Sequence, residues 1–323
     1  MAEAEEELSG EEPESGADPI YDSGVSHLTR RRMLAATATV PTAMSQAAVP
    51  TRIIDPHTHV WKNDPRFPWA KETGNPPAED RTAEMLLELM KTHGVARTVL
   101  IQYIGYRWDN SYVADVLRRY PREFRGVARV NPEDAANADH LSRLVEEQKF
   151  QGVRLSPAAN ASGDWINGPL MGPLWKRCEQ LRVPMTILTS TARLPDVEKL
   201  IAKQPELTVV IDHMADCPLG KPEELAKLTA LKRYPKVFVK ISHTWALSKE
   251  PYPWRDTWAQ VKELHQQFGA ERLMWGTDWP VCLRHATYGQ TLGVVRDEMS
   301  FLNDKDREWI LSKTVERVWR FEG

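Results

Sequence analysis

The chain runs to 323 residues and sets 42 Lys and Arg against 45 Asp and Glu, a formal net charge of −3. No basic field points to a nucleic-acid partner, and no apolar run reaches the roughly 18 residues that a membrane span needs. A chain of this size holds either one large domain, such as a barrel of about 250 residues, or two smaller ones.

The amino terminus reads as separate from the rest. Residues 1–26 are acidic, contain Pro and Gly and carry no apolar period, the composition of a disordered tail. The stretch 29–47, TRRRMLAATATVPTAMSQA, puts consecutive arginines ahead of a mildly apolar Ala/Thr run. That run ends in a small-x-small cleavage candidate, Ser45-Gln46-Ala47, and the whole resembles a bacterial twin-arginine export signal. The expectation is a leader over 1–48 and export by that route to the periplasm or beyond, with the globular domain over 49–323. If the arginines are a chance basic cluster, the chain stays in the cytoplasm.

From residue 49 onward short β-branched or apolar runs alternate with longer segments of helical period. The strand-like runs are 52–61, 96–102, 124–130, 152–156, 183–189, 207–215, 237–243 and 272–280. Between them lie helical patterns over 82–93, 112–119, 138–147, 174–180, 195–203, 223–232 and 254–267, and 305–319 supplies a closing helix. Strands that alternate with helices pair in parallel through right-handed crossovers. Eight such units predict an α/β chain folded as a (β/α)8 TIM barrel, with its chemistry at the carboxyl ends of the strands. A doubly wound sheet would announce a Gly-rich phosphate turn after the first strand, and none is present.

Three cysteines, Cys178, Cys217 and Cys282, follow no metal-ligand spacing, and an odd count argues against a disulfide-built fold. They read as buried free thiols, with Cys217 and Cys282 each following a strand-like run.

The first strand ends in RIIDPHTHVW. With a side-chain period of two, Ile53, Asp55, His57 and His59 share one face, which in a barrel is the interior. The run LTVVIDHMA brings His213 into phase with Val209 and Ile211, and RLMWGTDWP brings Asp278 into phase with Met274 and Gly276. Three histidines and a carboxylate then converge at one mouth from strands one, six and eight. Such a set can hold a divalent metal, or can polarise a carbonyl while the carboxylate takes a proton from water.

The motifs DPHTHVW at 55–61, GVRLSP at 152–157, VIDHMA at 210–215, VKIS at 239–242 and WGTDWP at 275–280 resemble the amidohydrolase-2 family of the amidohydrolase superfamily, most of all its lactonase branch. The similarity runs from about residue 52 to the end. It implies hydrolysis of a small lactone, such as a sugar lactone. Asp278 would be the general base on water, and His57, His59 and His213 the groups that polarise the carbonyl, directly or through a metal. Metal-binding members carry a bridging Lys or Glu on strand four, or a histidine on strand five. Here strand four offers Arg154 and strand five, Met185 to Thr189, offers neither, so a binuclear site is not expected. One divalent ion, Zn or Mn, on His57, His59 and Asp278 and catalysis without a metal both stay open at this point.

The resemblance also makes Arg154 a substrate-binding guanidinium. The pyrone-dicarboxylate branch has further arginines after strands four and seven, where SPAANASGD and SHTWALSKE contain none, so a dicarboxylated pyrone is not expected. Gln102, Tyr103 and Tyr106 after strand two, His243 after strand seven and Trp279 after Asp278 are candidates for a rim that suits a ring with hydroxyls, or a flat ring. Two other classes are a metal-dependent decarboxylase of the same family and a non-catalytic binding barrel. The expected partner is a small-molecule substrate; homo-oligomer formation is left open.

Overall fold

The structure, a computed structural model, describes residues 52–157 and 164–321. The expected leader with its twin-arginine motif lies outside the described residues. Eight strands run in chain order: β1 (Ile53–Thr58), β2 (Val95–Ile101), β3 (Phe124–Val127), β4 (Val153–Leu155), β5 (Met185–Ile187), β6 (Val209–Ile211), β7 (Val237–Lys240) and β8 (Leu273–Met274). All pair in parallel, β1-β2-β3 in one set and β4-β5-β6-β7-β8 in the other. Two bridges join the sets. Ala128 pairs with Val153, and Thr58 pairs with Trp279. The second closes the ring: His59 N donates to Trp279 O at 2.7 Å and Asp278 N donates to His57 O at 2.9 Å. The fold is the expected (β/α)8 barrel.

The strands are rich in Val, Ile and Leu because both of their faces are covered. An inner layer gathers Ile54, Val99, Ile101, Val127, Val210, Phe238 and Met274, with Val315 and Trp319 packed against it. Both of those come from the closing segment, in which α-helices Asp304–Glu308 and Thr314–Val318 flank a π-helical stretch at Trp309–Lys313. The single helix expected over 305–319 is thus interrupted. Trp319 is fully buried, and truncating an aromatic of this kind to alanine costs roughly 3–5 kcal/mol.

The outer layer contains helices α1 (Ala83–His93), α2 (Ser111–Arg119), α3 (Asn137–Glu146), α4 (Met171–Leu181), α5 (Leu194–Lys203), α6 (Pro222–Thr229), α7 (Thr244–Leu247), α8 (Trp258–Phe268) and α9 (Tyr288–Gly293). Seven of these were legible as amphipathic segments; α7 and α9 are too short to show a period. Local chemistry sets the ends. Thr82 accepts the Met85 N–H at the start of α1, and Gly94, at φ 70°, ends it in the left-handed conformation that glycine adopts without cost. Thr287 and Gln290 form a capping box on α9. All three cysteines are free and buried. Among the described residues no helix is long and apolar enough to cross a membrane.

Two parity expectations need correction. The β1 register is irregular between Ile53 and Ile54 and again between Asp55 and Thr58. Ile54, not Ile53, joins the inner layer, and Asp55 turns away from the histidines to accept from Thr277 Oγ1 at 2.6 Å and Tyr288 OH at 3.2 Å. On β6 it is Val210 that faces inward, while Val209 and Ile211 pack outside. His213 therefore reaches the mouth by another route. The strand stops at Ile211, and His213, Met214, Ala215 and Asp216 have φ of 52°, 54°, 54° and 43°. Such a left-handed turn costs roughly 1–2 kcal/mol per non-glycine residue, a cost that the full burial of Met214 and Ala215 offsets.

Candidate active site

Above the apolar layer the barrel interior turns polar. Lys240 is in phase with Phe238 on β7 and fully buried, a position that a lysine occupies only when paired. Its Nζ lies 2.9 Å from Asp212 Oδ1 and 3.0 Å from His57 Nδ1. Asp212 is also fully buried, and its second oxygen accepts from Arg154 Nε at 2.9 Å. Burial opposes the Asp212 charge, but Lys240, His57 and Arg154 outweigh it and hold the carboxyl well below its usual range. Arg154 thus braces the interior with one edge of its guanidinium.

Lys240 also sets the neighbouring imidazole. Burial, then the Lys240 charge, pushes His57 down to about 3, so this ring is neutral at pH 7. An ammonium can only donate; with Nδ1 accepting from it, the single ring hydrogen lies on Nε2. That nitrogen faces Asp278 Oδ1 at 3.5 Å. His59 is anchored from the opposite side. Its Nδ1 lies 2.7 Å from the Ile101 carbonyl, which can only accept, so Nδ1 carries a hydrogen and Nε2 meets Asp278 Oδ1 at 3.1 Å. His213 joins through Nδ1, 2.8 Å from Ser242 Oγ, with its ring 4.4 Å from that of His57. Burial, then His243 and His57, holds His213 well below its ordinary value, hence neutral.

Asp278 sits just past β8 at φ 57° with its carboxylate buried. Burial alone would raise its pKa. The hydrogen bond from His243 and the close approach of the His59, His213 and His57 imidazoles reverse this and hold it well below the usual carboxylate range. His243 bridges two acids, Nε2 to Asp278 Oδ2 at 2.8 Å and Nδ1 to Asp216 Oδ1 at 3.0 Å. Burial works against its charge, but those two bonds raise it to about 9, so His243 is an imidazolium at neutral pH. Its ring stacks on His213 with centroids 3.5 Å apart and planes 1° from parallel.

His57, His59, His213 and Asp278 are therefore brought together, and His243 with them. Tyr103 packs on Trp61 at 4.6 Å and on the His59 edge at 5.4 Å, at the border of the site. Gln102 is buried and donates to the Asp109 carbonyl, bracing the loop after β2. Two rim candidates are placed elsewhere. The Tyr106 hydroxyl is tied to the Lys62 backbone, accepting from N at 2.9 Å and donating to O at 2.8 Å. Trp279 is 1% exposed, within the outer core. Asp212, Lys240, Asp216 and Ser242 were not anticipated. The available signal was a charged residue inside an apolar strand, in VKIS.

The residues fit a metal ion geometrically. One donor atom each from His57, His59 and Asp278 lie within 4.8 Å of one another. His57 Nε2 and Asp278 Oδ1 are buried without a hydrogen-bond partner. Two further trios, His57-Asp212-His213 and His213-His243-Asp278, are similarly close.

Comparison with known proteins places this arrangement in a family. The chain is 29% identical over 240 residues to the L-fucono-1,5-lactonase of Burkholderia ambifaria, covering 71% of this chain and 80% of that one. A solved 2-pyrone-4,6-dicarboxylic acid hydrolase of Pseudomonas putida, named putative by those who solved it, is 25% identical with a TM-score of 0.73, covering 84% of this chain and 99% of that one. An amidohydrolase of Burkholderia multivorans solved with zinc bound shares the fold, at 20% identity and a TM-score of 0.69, covering 83% and 98%. The amidohydrolase family profile matches residues 54–321, nearly the whole barrel, and the chain belongs to that family.

Proposed function

We propose that this enzyme hydrolyses a small lactone at the mouth formed by His57, His59, His213 and Asp278. The observation that carries the reading is the state of Asp278. Its Oδ2 is held by the His243 imidazolium at 2.8 Å, while Oδ1 faces two imidazoles at 3.1 and 3.5 Å. An ionised, oriented carboxylate in a buried site is a general base, and the His57 Nε2–H beside it is a donor for an oxyanion.

Water bound at Asp278 Oδ1 gives its proton to the carboxylate as its oxygen adds to the lactone carbonyl. The carbonyl oxygen becomes an oxyanion that accepts from His57 Nε2–H. Collapse breaks the ring C–O bond, and the proton held by Asp278 passes to the departing alkoxide. The products are a hydroxy acid and the original carboxylate. His213, stacked on His243, keeps that imidazolium over Asp278. A divalent ion held by His57, His59 and Asp278 would supply Lewis-acid polarisation of the same carbonyl. The likeness to the two lactone hydrolases supports the substrate class, a cyclic ester.

The test is proton release from a panel of sugar and aromatic lactones by the purified chain. Ring opening above the uncatalysed rate is expected. Release of CO2 from a carboxylated arene, with no lactone opened, would replace this reading with decarboxylation.

A further inference from the structure

Beside the catalytic centre the barrel holds an excess of positive charge that the mechanism above does not use. Arg129 stands two residues beyond β3, at the same end of the barrel as His57 and Asp278. It is 4% exposed, yet no carboxylate lies within 4.0 Å of it among the described residues. Its Nη1 donates to Ser156 Oγ at 3.0 Å, and its buried Nε has no hydrogen-bond partner among the described residues. Arg107, after β2, likewise has no ion pair among the described residues. The two guanidiniums lie against the Trp108 ring, at 5.3 Å for Arg107 and 5.6 Å for Arg129. Arg154 on β4 completes the trio, one edge spent on Asp212.

These arginines, with Trp108, Ser156 and Trp165, line one cavity of about 330 Å³. Glu72 and Glu133 line it as well, neither within 4.0 Å of Arg107 or Arg129. Burying an unpaired guanidinium is costly, and here two more cations repel it. Burial, then Arg154 and Arg107, pushes Arg129 down to about 9, a measure of how poorly its charge is balanced. A buried guanidinium with no carboxylate partner among the described residues, lining a cavity with two further arginines, is the feature that an anion would complete.

We infer that the cavity lined by Arg107, Arg129 and Arg154 is an anion subsite of the active site, and that the lactone opened here carries a carboxylate. This rests on the lactonase reading above and narrows its substrate class to acid lactones, such as aldarolactones or ring-carboxylated lactones. A planar carboxylate matches a guanidinium fork in two parallel hydrogen bonds, and Arg129 brings to the cavity a guanidinium that no carboxylate neutralises among the described residues. The chain of contacts from Arg154 through Asp212 to His57 links the subsite to the carbonyl-polarising imidazole. An anion there docks the ring with its ester toward Asp278.

The experiment has a turnover arm and a binding arm, both on the full chain. In the first, kcat/KM is compared for D-saccharic acid 1,4-lactone, neutral D-gluconolactone and 6-phosphogluconolactone. The acid lactone is expected to lead the neutral one by at least tenfold, and Arg129→Gln to cut its kcat/KM at least tenfold more than that of the neutral lactone. Preference for the neutral or the phosphorylated lactone, or equal losses on all three, would overturn the proposal. In the second, isophthalate binding is measured by calorimetry. At least tenfold weakening is expected in Arg129→Gln and in Arg107→Gln, with Arg129→Lys intermediate and Tm recorded for each variant. Arg107→Gln keeps the test alive should Arg129→Gln fail to fold. Arginine-dependent isophthalate binding without turnover of any lactone would sink the lactonase reading and leave the subsite standing. No binding, or binding indifferent to both arginines, would sink the subsite itself.

Discussion

His243 Nε2 lies 2.8 Å from Asp278 Oδ2, and the same ring reaches Asp216 through Nδ1 at 3.0 Å. A cation is thereby clamped between the proposed base and a second acid at the mouth. His243 is raised to about 9 from an ordinary 6.5. A histidine raised in the folded state contributes stability that is complete below its unfolded value and is lost as pH rises through its folded one. The chain should therefore lose stability between pH 6.5 and 9, and His243→Gln should flatten that decline. Tm followed across this window in both proteins checks it; parallel curves would refute the clamp.

Asp278→Asn keeps the size of the side chain and removes its basicity. General-base catalysis is worth about 10²–10⁴ in rate, so turnover should fall by that order while Tm stays within a few degrees. Near-full turnover in a folded variant would move the base elsewhere, with Asp212, the other buried carboxylate against the His57 ring, the next candidate.

Lys240→Met removes the ammonium from a fully buried pair and leaves the Asp212 carboxylate with Arg154 as its one cation. Breaking such a pair costs about 3–5 kcal/mol, because the remaining charge is stranded in a medium that cannot solvate it. Denaturant unfolding should show a loss of that order, and Lys240→Met with Asp212→Asn should recover part of it. Additive losses in the double variant would mean that the two side chains are not coupled.

The barrel was legible from the alternation of apolar runs and helical segments, since eight parallel strands covered on both faces leave that texture in any chain. The catalytic set was legible for a partly different reason. Parity accounts for Met274 lying inward of Asp278, but His213 reaches the mouth through four left-handed residues that no period of two encodes. Asp55 was misjudged because a register irregularity turns it toward Tyr288. Lys240 and Arg129 escaped because hydrophobic periodicity scores a buried cation as a surface position; only three-dimensional pairing reveals one as balanced and the other as not. The substrate arginines that the resemblance implies follow strands four and seven, whereas Arg107 and Arg129 follow β2 and β3.

Metal dependence turns on His57. The Lys240 ammonium, 3.0 Å from Nδ1, holds the ring hydrogen on Nε2, the nitrogen that a metal would need bare. Asp212, 3.3 Å from the same Nδ1, would stabilise the opposite tautomer by accepting from it. Lys240 lies closer, so Nε2–H should prevail and polarise the carbonyl directly. Turnover is then expected to survive exhaustive chelation. Removing the ammonium should release Nε2, so Lys240→Met should bind Zn²⁺ at least tenfold more tightly than the parent chain, read by competition with a chromogenic chelator. Activity that vanishes on chelation and returns with Zn²⁺ or Mn²⁺ would mean that the Asp212 tautomer governs and that His57, His59 and Asp278 hold an ion. Zn²⁺ affinity unchanged by Lys240→Met would show that the lysine does not set the tautomer.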